Sequence, residues 1–152
     1  MKLDRNRFSQ LIDGAVWAIF LHELAHAMID INRIPITGRE EDVADQFALF
    51  FSAKYLEPRG VPVVVPAAWF FRNLEKRRGE GNLQRQLADE HSLDGQRIYN
   101  LACWALGAEP GRGQSAARFV GLPVERAERC GAEYARLEEG MRARFKKYIS
   151  FR

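Results

Sequence analysis

Residues 20–30 read FLHELAHAMID, and most predictions of fold and function from the sequence depend on this stretch. Apolar residues recur here at the three- and four-residue spacings of an α-helix, so we expect one long helix over residues 7–32. His22 and His26 are four residues apart and therefore share one face of that helix. Together with Glu23 they form the pattern His-Glu-x-x-His, which indicates a metal site.

The chemistry of zinc explains why these residue types occur at this spacing. Zn²⁺ suits two neutral imidazoles and a carboxylate, with water in the open fourth position. Glu23 is adjacent to His22 and can take a proton from that water and pass it to a leaving amine. The simpler alternative is a solvated or capped pair of histidines. Two histidines and a glutamate on an apolar helix are costly to bury without a partner, however. We therefore interpret His22 and His26 as Zn²⁺ ligands and Glu23 as a general base.

A third ligand is expected from the acidic run over residues 38–48, which reads GREEDVADQFA. A short turn joins this segment to the first helix, so the two helices should pack antiparallel. In that arrangement Glu41 lies level with His26, and Asp45, one turn further on, lies level with His22. We therefore predict Glu41 as the third metal ligand. Asp45 is predicted to accept a hydrogen bond from a ring nitrogen of His22, as partners of metal-bound histidines do.

The neighbouring acids have other expected roles. Thr37 and Glu40 fit a capping box, with Thr37 as N-cap, so Glu40 is better placed to serve the helix N-terminus than the metal. Asp42 points about 100° away from Glu41 around the helix. The alternative is that the whole acidic run only stabilises the positive end of the helix dipole.

The rest of the sequence is also mainly helical, which predicts an all-α fold. Residues 61–66, VPVVVP, form the only strand-like run, and their prolines predict an edge strand or an extended linker. Ser92 is a plausible N-cap, residues 109–114 are expected to form a loop, and Pro123 is expected at the first position of a helix. Helix is predicted at residues 7–32, 38–56, 67–78, 83–88, 93–106 and 123–148.

Composition limits the class of protein. The chain has 152 residues, 47% hydrophobic and 28% charged, so we expect one globular domain over residues 1–152. A net charge of +3 is too small to indicate a nucleic-acid partner. Two histidines and a glutamate interrupt the most apolar stretch, so we expect no membrane span. The polar start predicts a soluble protein that is not exported, unless a leader precedes it. Nothing in the sequence indicates an oligomeric state.

A second cluster of interest is DEHSLD, residues 89–94. In a peptidase, His91 can donate a hydrogen bond to the developing oxyanion, and Tyr99 on the following helix can do the same. Asp94 can orient His91. The alternative is a surface histidine in a loop at the start of a helix, and the sequence does not decide between the two.

Taken together, these motifs resemble the gluzincin class of zinc metallopeptidases. More closely, residues 18–130 resemble a bacterial family that is classed as a domain of unknown function and assigned to the metallopeptidases. The resemblance implies a peptidase that acts on a peptide or protein and has a zincin-like active-site helix pair. It implies His22, His26 and Glu41 as metal ligands and Glu23 as general base. The matching segments are HELAHAMID at 22–30, GREEDVADQ at 38–46, DEHSLD at 89–94, and GLP at 121–123 with Arg126 and Cys130.

One departure from the class concerns the sheet that holds the substrate. Zincins usually place a β-sheet before the active-site helix, whereas the 21 residues before His22 continue the same helix. Either the substrate binds differently, along residues 61–65, or the sheet belongs to an N-terminal segment outside these residues. Small size and the missing sheet also leave an alternative function, a non-catalytic, zinc-stabilised helical module that binds a partner.

The two cysteines, Cys103 and Cys130, allow either one disulfide or two buried thiols. Resemblance to a largely exported family favours the disulfide.

Overall fold

The computed structural model describes residues 4–78 and 83–150, and within these ranges it contains helices and no strand. The predicted all-α class is therefore confirmed. The α-helices of the described residues are α1 (Arg5–Asn32), α2 (Glu40–Phe51), α3 (Val64–Arg78), α4 (Leu83–Leu87), α5 (Asp94–Ala108), α6 (Pro110–Val120), α7 (Val124–Ala127) and α8 (Cys130–Phe145). A π-helical turn (Ser52–Leu56) and a 3-10 turn (Glu57–Arg59) follow α2.

Helices α1 and α2 form a packed pair, as expected. The side chain of Asp4 accepts a hydrogen bond from the Arg7 amide at the start of α1. The predicted capping box is wrong, because α2 begins at Glu40 after Arg39 and has no side-chain cap. Three acidic residues in its first turn lie at the positive end of the helix dipole and stabilise the helix start instead. The side chain of Glu40 is therefore available for another contact.

Of the two predictions for residues 61–66, the edge strand is wrong and the extended linker fits residues 61–63 only. Residues 61–63 have no regular structure, and α3 begins at Val64. Glu57 Oε1 accepts hydrogen bonds from the amides of Val63 and Val64 at 3.3 and 3.2 Å, which satisfies donors at the helix start. Pro66 lies in the first turn, where a proline lacks no needed donor. The sequence pattern of a proline-rich apolar run fits a buried helix start as well as a strand.

Three boundaries in the second half of the chain differ from expectation. The predicted loop at residues 109–114 is largely α6, because Pro110 occupies the first position of that helix, where its fixed φ suits helix formation. Leu93 rather than Ser92 precedes α5, and the Ser92 hydroxyl instead donates to Asp42 Oδ1 at 2.7 Å. Pro123 is the N-cap of the short helix α7, not its first residue.

The core lies around α5, which packs against α3, α6 and α8. Phe47, Phe50 and Phe145 are fully buried, and the rings of Phe47 and Phe145 lie 4.9 Å apart between centroids. Cys103 of α5 and Cys130 of α8 form a disulfide, as the resemblance favoured. The last long helix is therefore held to the core by both packing and a covalent bond.

Helix α1 packs closely against the start of α3 through Gly14. A Cβ atom at that position would collide with the carbonyl oxygen of Pro62 and the ring of Pro66. The same helix leaves apolar side chains exposed, including Phe8, Val16 and Phe20. By length and composition α1 is the one helix among the described residues that could cross a membrane, a property shared by core helices and signal sequences. The expected absence of a membrane span stays a prediction.

Candidate metal centre

The two histidines of α1 face one point. The Nε2 atoms of His22 and His26 lie 3.1 Å apart, as the four-residue helical spacing dictates. The His22 side chain is almost buried, with 9% exposed, whereas that of His26 is 24% exposed. The pair therefore lies at the edge of the core, with His22 on its inner side.

Glu41 of α2 lies against both histidines. Its Oε2 is 3.0 Å from His22 Nε2, and its Oε1 is 3.4 Å from His26 Nε2. The structure thus brings the three predicted ligands together, with Glu41 in the register expected of an antiparallel helix pair.

The other ring nitrogen of each histidine has a carboxylate partner. His22 Nδ1 donates to Asp45 Oδ1 at 2.9 Å, as the sequence predicted. His26 Nδ1 donates to Glu40 Oε1 at 2.8 Å. This contact was not predicted, because Glu40 also fits a capping box. The signal was present, since His26 needed a partner and Glu40 directly precedes the predicted ligand. With protons on both Nδ1 atoms, the Nε2 lone pairs face the shared point.

His91 joins this group from the loop before α5. Its Nε2 lies 2.8 Å from Glu41 Oε2, and its Nδ1 lies 2.8 Å from Asp89 Oδ1. Asp89 also accepts the His91 amide at 2.9 Å. Asp94, the predicted orienting residue, is replaced in this role by Asp89, because an acid two residues earlier can reach both the ring and the amide.

The loop that carries His91 is tied to the start of α2. Arg39 donates to the carbonyl oxygen of His91 at 3.3 Å, and Ser92 donates to Asp42. The rings of His22 and His91 are stacked, 6.1 Å apart between centroids. Donor atoms of His22, Glu41 and His91 all lie within 4.8 Å of one another. These contacts hold His91 beside the predicted ligands.

A buried ion pair lies behind His22. Arg97 of α5 donates from Nε and Nη2 to the two oxygens of Asp45, each at 2.7 Å. Burial alone would raise the pKa of Asp45, but hydrogen bonds from His22 and Arg97 and the charge of Arg97 lower it. Burial likewise opposes the charge of Arg97, yet its bonds to Asp45 raise the pKa of the guanidinium. Asp45 is therefore an anion that holds the proton of His22 on Nδ1. No local sequence pattern indicates this role for Arg97.

The pKa of His26 is raised by neighbouring carboxylates. Burial lowers the pKa of His26, but the hydrogen bond to Glu40 and the charges of Glu41, Glu40 and Glu23 outweigh it and raise the pKa above its ordinary value. A cation at this point is therefore electrostatically favoured, whether it is a proton or a metal ion.

The donor set fits a divalent metal ion. Ligands of a tetrahedral ion with bonds of about 2.0–2.1 Å lie about 3.3 Å apart, close to the separations among His22, His26 and Glu41. Moreover, two Nε2 atoms without protons repel each other at 3.1 Å unless a cation lies between them. The chain thus has a possible metal site formed by histidine and glutamate.

Comparison with known proteins agrees with this geometry. A family model described as "Putative metallopeptidase" matches residues 2–142, which is nearly the whole chain. The chain belongs to this family. Its name implies a metal ion, for which the cluster at Glu41 is the candidate site. No curated protein and no solved structure shows significant similarity to the chain.

For a member of a metallopeptidase family, the surroundings of the site matter as much as the ligands. Glu23, the predicted base, is exposed and has no hydrogen-bond or ion-pair partner among the described residues. It lines a cavity together with His22 and His91. Tyr99 is 41% exposed and lines a different surface groove with Asn100. The structure therefore brings Glu23 and His91 to one cavity and leaves Tyr99 outside it.

Proposed function

We propose that this protein is a zinc-dependent peptidase whose metal is held by His22, His26 and Glu41. The observation that carries the proposal is the convergence of two histidine Nε2 atoms on one carboxylate, with each Nδ1 fixed by another acid. Membership of a metallopeptidase family supports it. Zinc is favoured over other divalent ions because two imidazoles and one carboxylate match its preferred ligands.

When bound, zinc would supply Lewis-acid polarisation and a nucleophilic water at neutral pH. The chain's own residues would do the rest. Glu23 has a free carboxylate beside the cavity, so it would accept a proton from the attacking water and transfer it to the nitrogen of the leaving amine. Asp45 and Glu40 would keep the protons of His22 and His26 on Nδ1 and hold both rings in place.

The role of His91 separates two versions of the site. In the peptidase, the Nε2–H group of His91 would donate a hydrogen bond to the oxyanion that forms when water attacks the peptide carbonyl. Asp89, at its other nitrogen, would hold the ring in position. Tyr99, the other predicted donor, has no contact with the site among the residues that the structure describes, and we propose His91 for the role.

A second candidate function is supported by the same residue. His91 Nε2 is 2.8 Å from Glu41 Oε2, close enough to supply a fourth protein donor to the metal. Structural zinc sites have four protein ligands, whereas catalytic sites keep one position open. A fourth ligand would favour the non-catalytic, zinc-stabilised module that binds a partner.

Two variants test these functions. We expect wild-type protein to bind one zinc ion per chain and to cleave a peptide library. Glu23→Gln should keep the zinc and lose at least about 100-fold in cleavage rate, because it removes the general base. Glu139→Gln, on the exposed surface of α8, is the matched control and should cleave normally. Cleavage that survives in Glu23→Gln would contradict the mechanism.

His91→Ala distinguishes the two functions. In the peptidase, it should lower the cleavage rate and leave zinc affinity nearly unchanged. In the structural module, it should weaken zinc binding by at least about tenfold, and no variant should cleave any peptide.

A further inference from the structure

A cavity opens beside the candidate metal site. It has a volume of about 250 Å³ and is walled by α1, α2, α3 and α5. His22, Glu23 and His91 line it, so it is continuous with the place where Glu23 would meet a peptide. Its contents would therefore be a part of the substrate close to the bond that is cleaved.

The walls of this cavity are mainly apolar. Ala15 and Ala18 on α1 and Ala67 on α3 leave space because their side chains are small, and Phe70 and Phe71 supply aromatic surface. Apolar walls with few polar groups are typical of sites that bind apolar ligand groups.

Away from Glu23 and the two histidines at its metal end, the polar groups of the cavity already have hydrogen-bond partners. Arg97 and Asp45 form a doubly hydrogen-bonded pair, and the Arg97 guanidinium lies 4.0 Å from the centre of the Phe71 ring. The Ser52 hydroxyl donates to the carbonyl oxygen of Leu49. A charged substrate side chain that entered beyond Glu23 would gain no free partner from Arg97, Asp45 or Ser52, and its loss of hydration would not be compensated.

The volume sets the size of the group that fits. An apolar cavity of about 150 Å³ is large enough for benzene, and pockets for drug-sized ligands begin at about 300 Å³. A cavity of about 250 Å³ therefore holds one aromatic or branched aliphatic side chain.

We propose that this cavity is the specificity pocket of the site and binds one large apolar side chain, aromatic or branched aliphatic, next to the scissile bond. This inference rests on the proposed peptidase function. It names the substrate class as peptides with phenylalanine, leucine or a similar residue at that position.

Binding of two hydroxamates to the zinc-loaded protein tests the pocket without turnover. Acetohydroxamate has no side chain, whereas 3-phenylpropionohydroxamate carries a phenyl group that can enter the cavity. We expect the phenyl compound to bind about 10- to 100-fold more tightly, from burial of one aromatic group. Ala18→Leu, at a partly exposed position of the wall, should reduce this ratio to below about threefold. Ala67→Leu fills the opposite wall and gives a second variant if the first fails to fold.

Ala135→Leu on the exposed face of α8 is the control and should keep the full ratio. The proposal would be overturned if the two hydroxamates bound equally to the wild type. It would also be overturned if the ratio of their affinities were unchanged in both Ala18→Leu and Ala67→Leu. If zinc does not bind, methyl NMR titration with N-acetylphenylalaninamide and N-acetylglycinamide makes the same comparison, with the same expected preference and the same refuting result. If the hydroxamate ratio holds and no peptide is cleaved, the peptidase function fails and the pocket stands.

Discussion

Replacing Arg97 with methionine should strongly destabilise the metal-free protein. Arg97 gives Asp45 two hydrogen bonds of 2.7 Å, and both side chains are only 9% exposed. Without Arg97, the buried carboxylate keeps, within the described part of the chain, the contact with His22 alone. Removal of one partner from a buried ion pair costs about 3–5 kcal/mol, because the other charge is left uncompensated. That is a large part of the 5–15 kcal/mol that typically holds a domain together.

Urea unfolding of the metal-free protein measures this loss. The matched control is Arg112→Met, since Arg112 pairs with Glu109 at 3.5 Å on the surface and should contribute less than about 1 kcal/mol. Arg97→Met combined with Asp45→Asn should recover part of the stability, because the double variant has no unpaired charge.

The effect of Arg97→Met should also depend on pH. The ion pair lowers the pKa of Asp45, so its contribution is fully present above the ordinary value of 3.8 and is lost as the pH falls through the lowered pKa. The stability difference between wild type and variant should therefore shrink in acid. The Arg97→Met variant should also bind zinc about 10- to 100-fold more weakly, because Asp45 no longer fixes the His22 ring firmly. If Arg97→Met loses less than about 1 kcal/mol in its free energy of unfolding near neutral pH, the reasoning is refuted.

Three further changes have defined outcomes. Gly14→Ala should lower the free energy of unfolding by about 1–3 kcal/mol, measured by urea unfolding, because the added methyl group meets backbone and a proline ring; an unchanged midpoint would contradict the close packing. Replacing Cys103 and Cys130 together with serine should cost about 2–4 kcal/mol, since the disulfide closes a separation of 27 residues, and wild type under reducing conditions should show a similar loss in thermal unfolding. Glu40→Gln should weaken zinc binding about tenfold in a chelator competition by reducing the basicity of His26; equal affinities would show that this hydrogen bond does not tune the ligand.

The sequence predicted the parts of the site that depend on local helical geometry. His22 and His26 share a face because of their spacing, and Glu41 and Asp45 fall level with them because a short turn makes the helices antiparallel. These relations follow from periodicity and turn length, which a single sequence contains. The all-α class followed from the same periodicity.

Contacts between distant segments were harder to predict. Arg97 is 52 residues from Asp45, and no local pattern indicates that α5 would bring it there. The position of His91 against Glu41 likewise depends on a loop held by Arg39. Helix ends were misplaced where one residue type suits two roles, as with Glu40, which can cap a helix or bind a histidine. Tertiary packing decides between such roles.

The burial of Phe145 against Phe47 has a consequence for biosynthesis. The two rings come from residues far apart in the sequence, one on α2 and the other on α8, and both are fully buried. On the ribosome, α1 and α2 emerge first and can pair, but one side of Phe47 stays open until residue 145 has left the exit tunnel. The N-terminal helix pair therefore exposes aromatic surface until α8 can pack against it, and the core is completed only at that point.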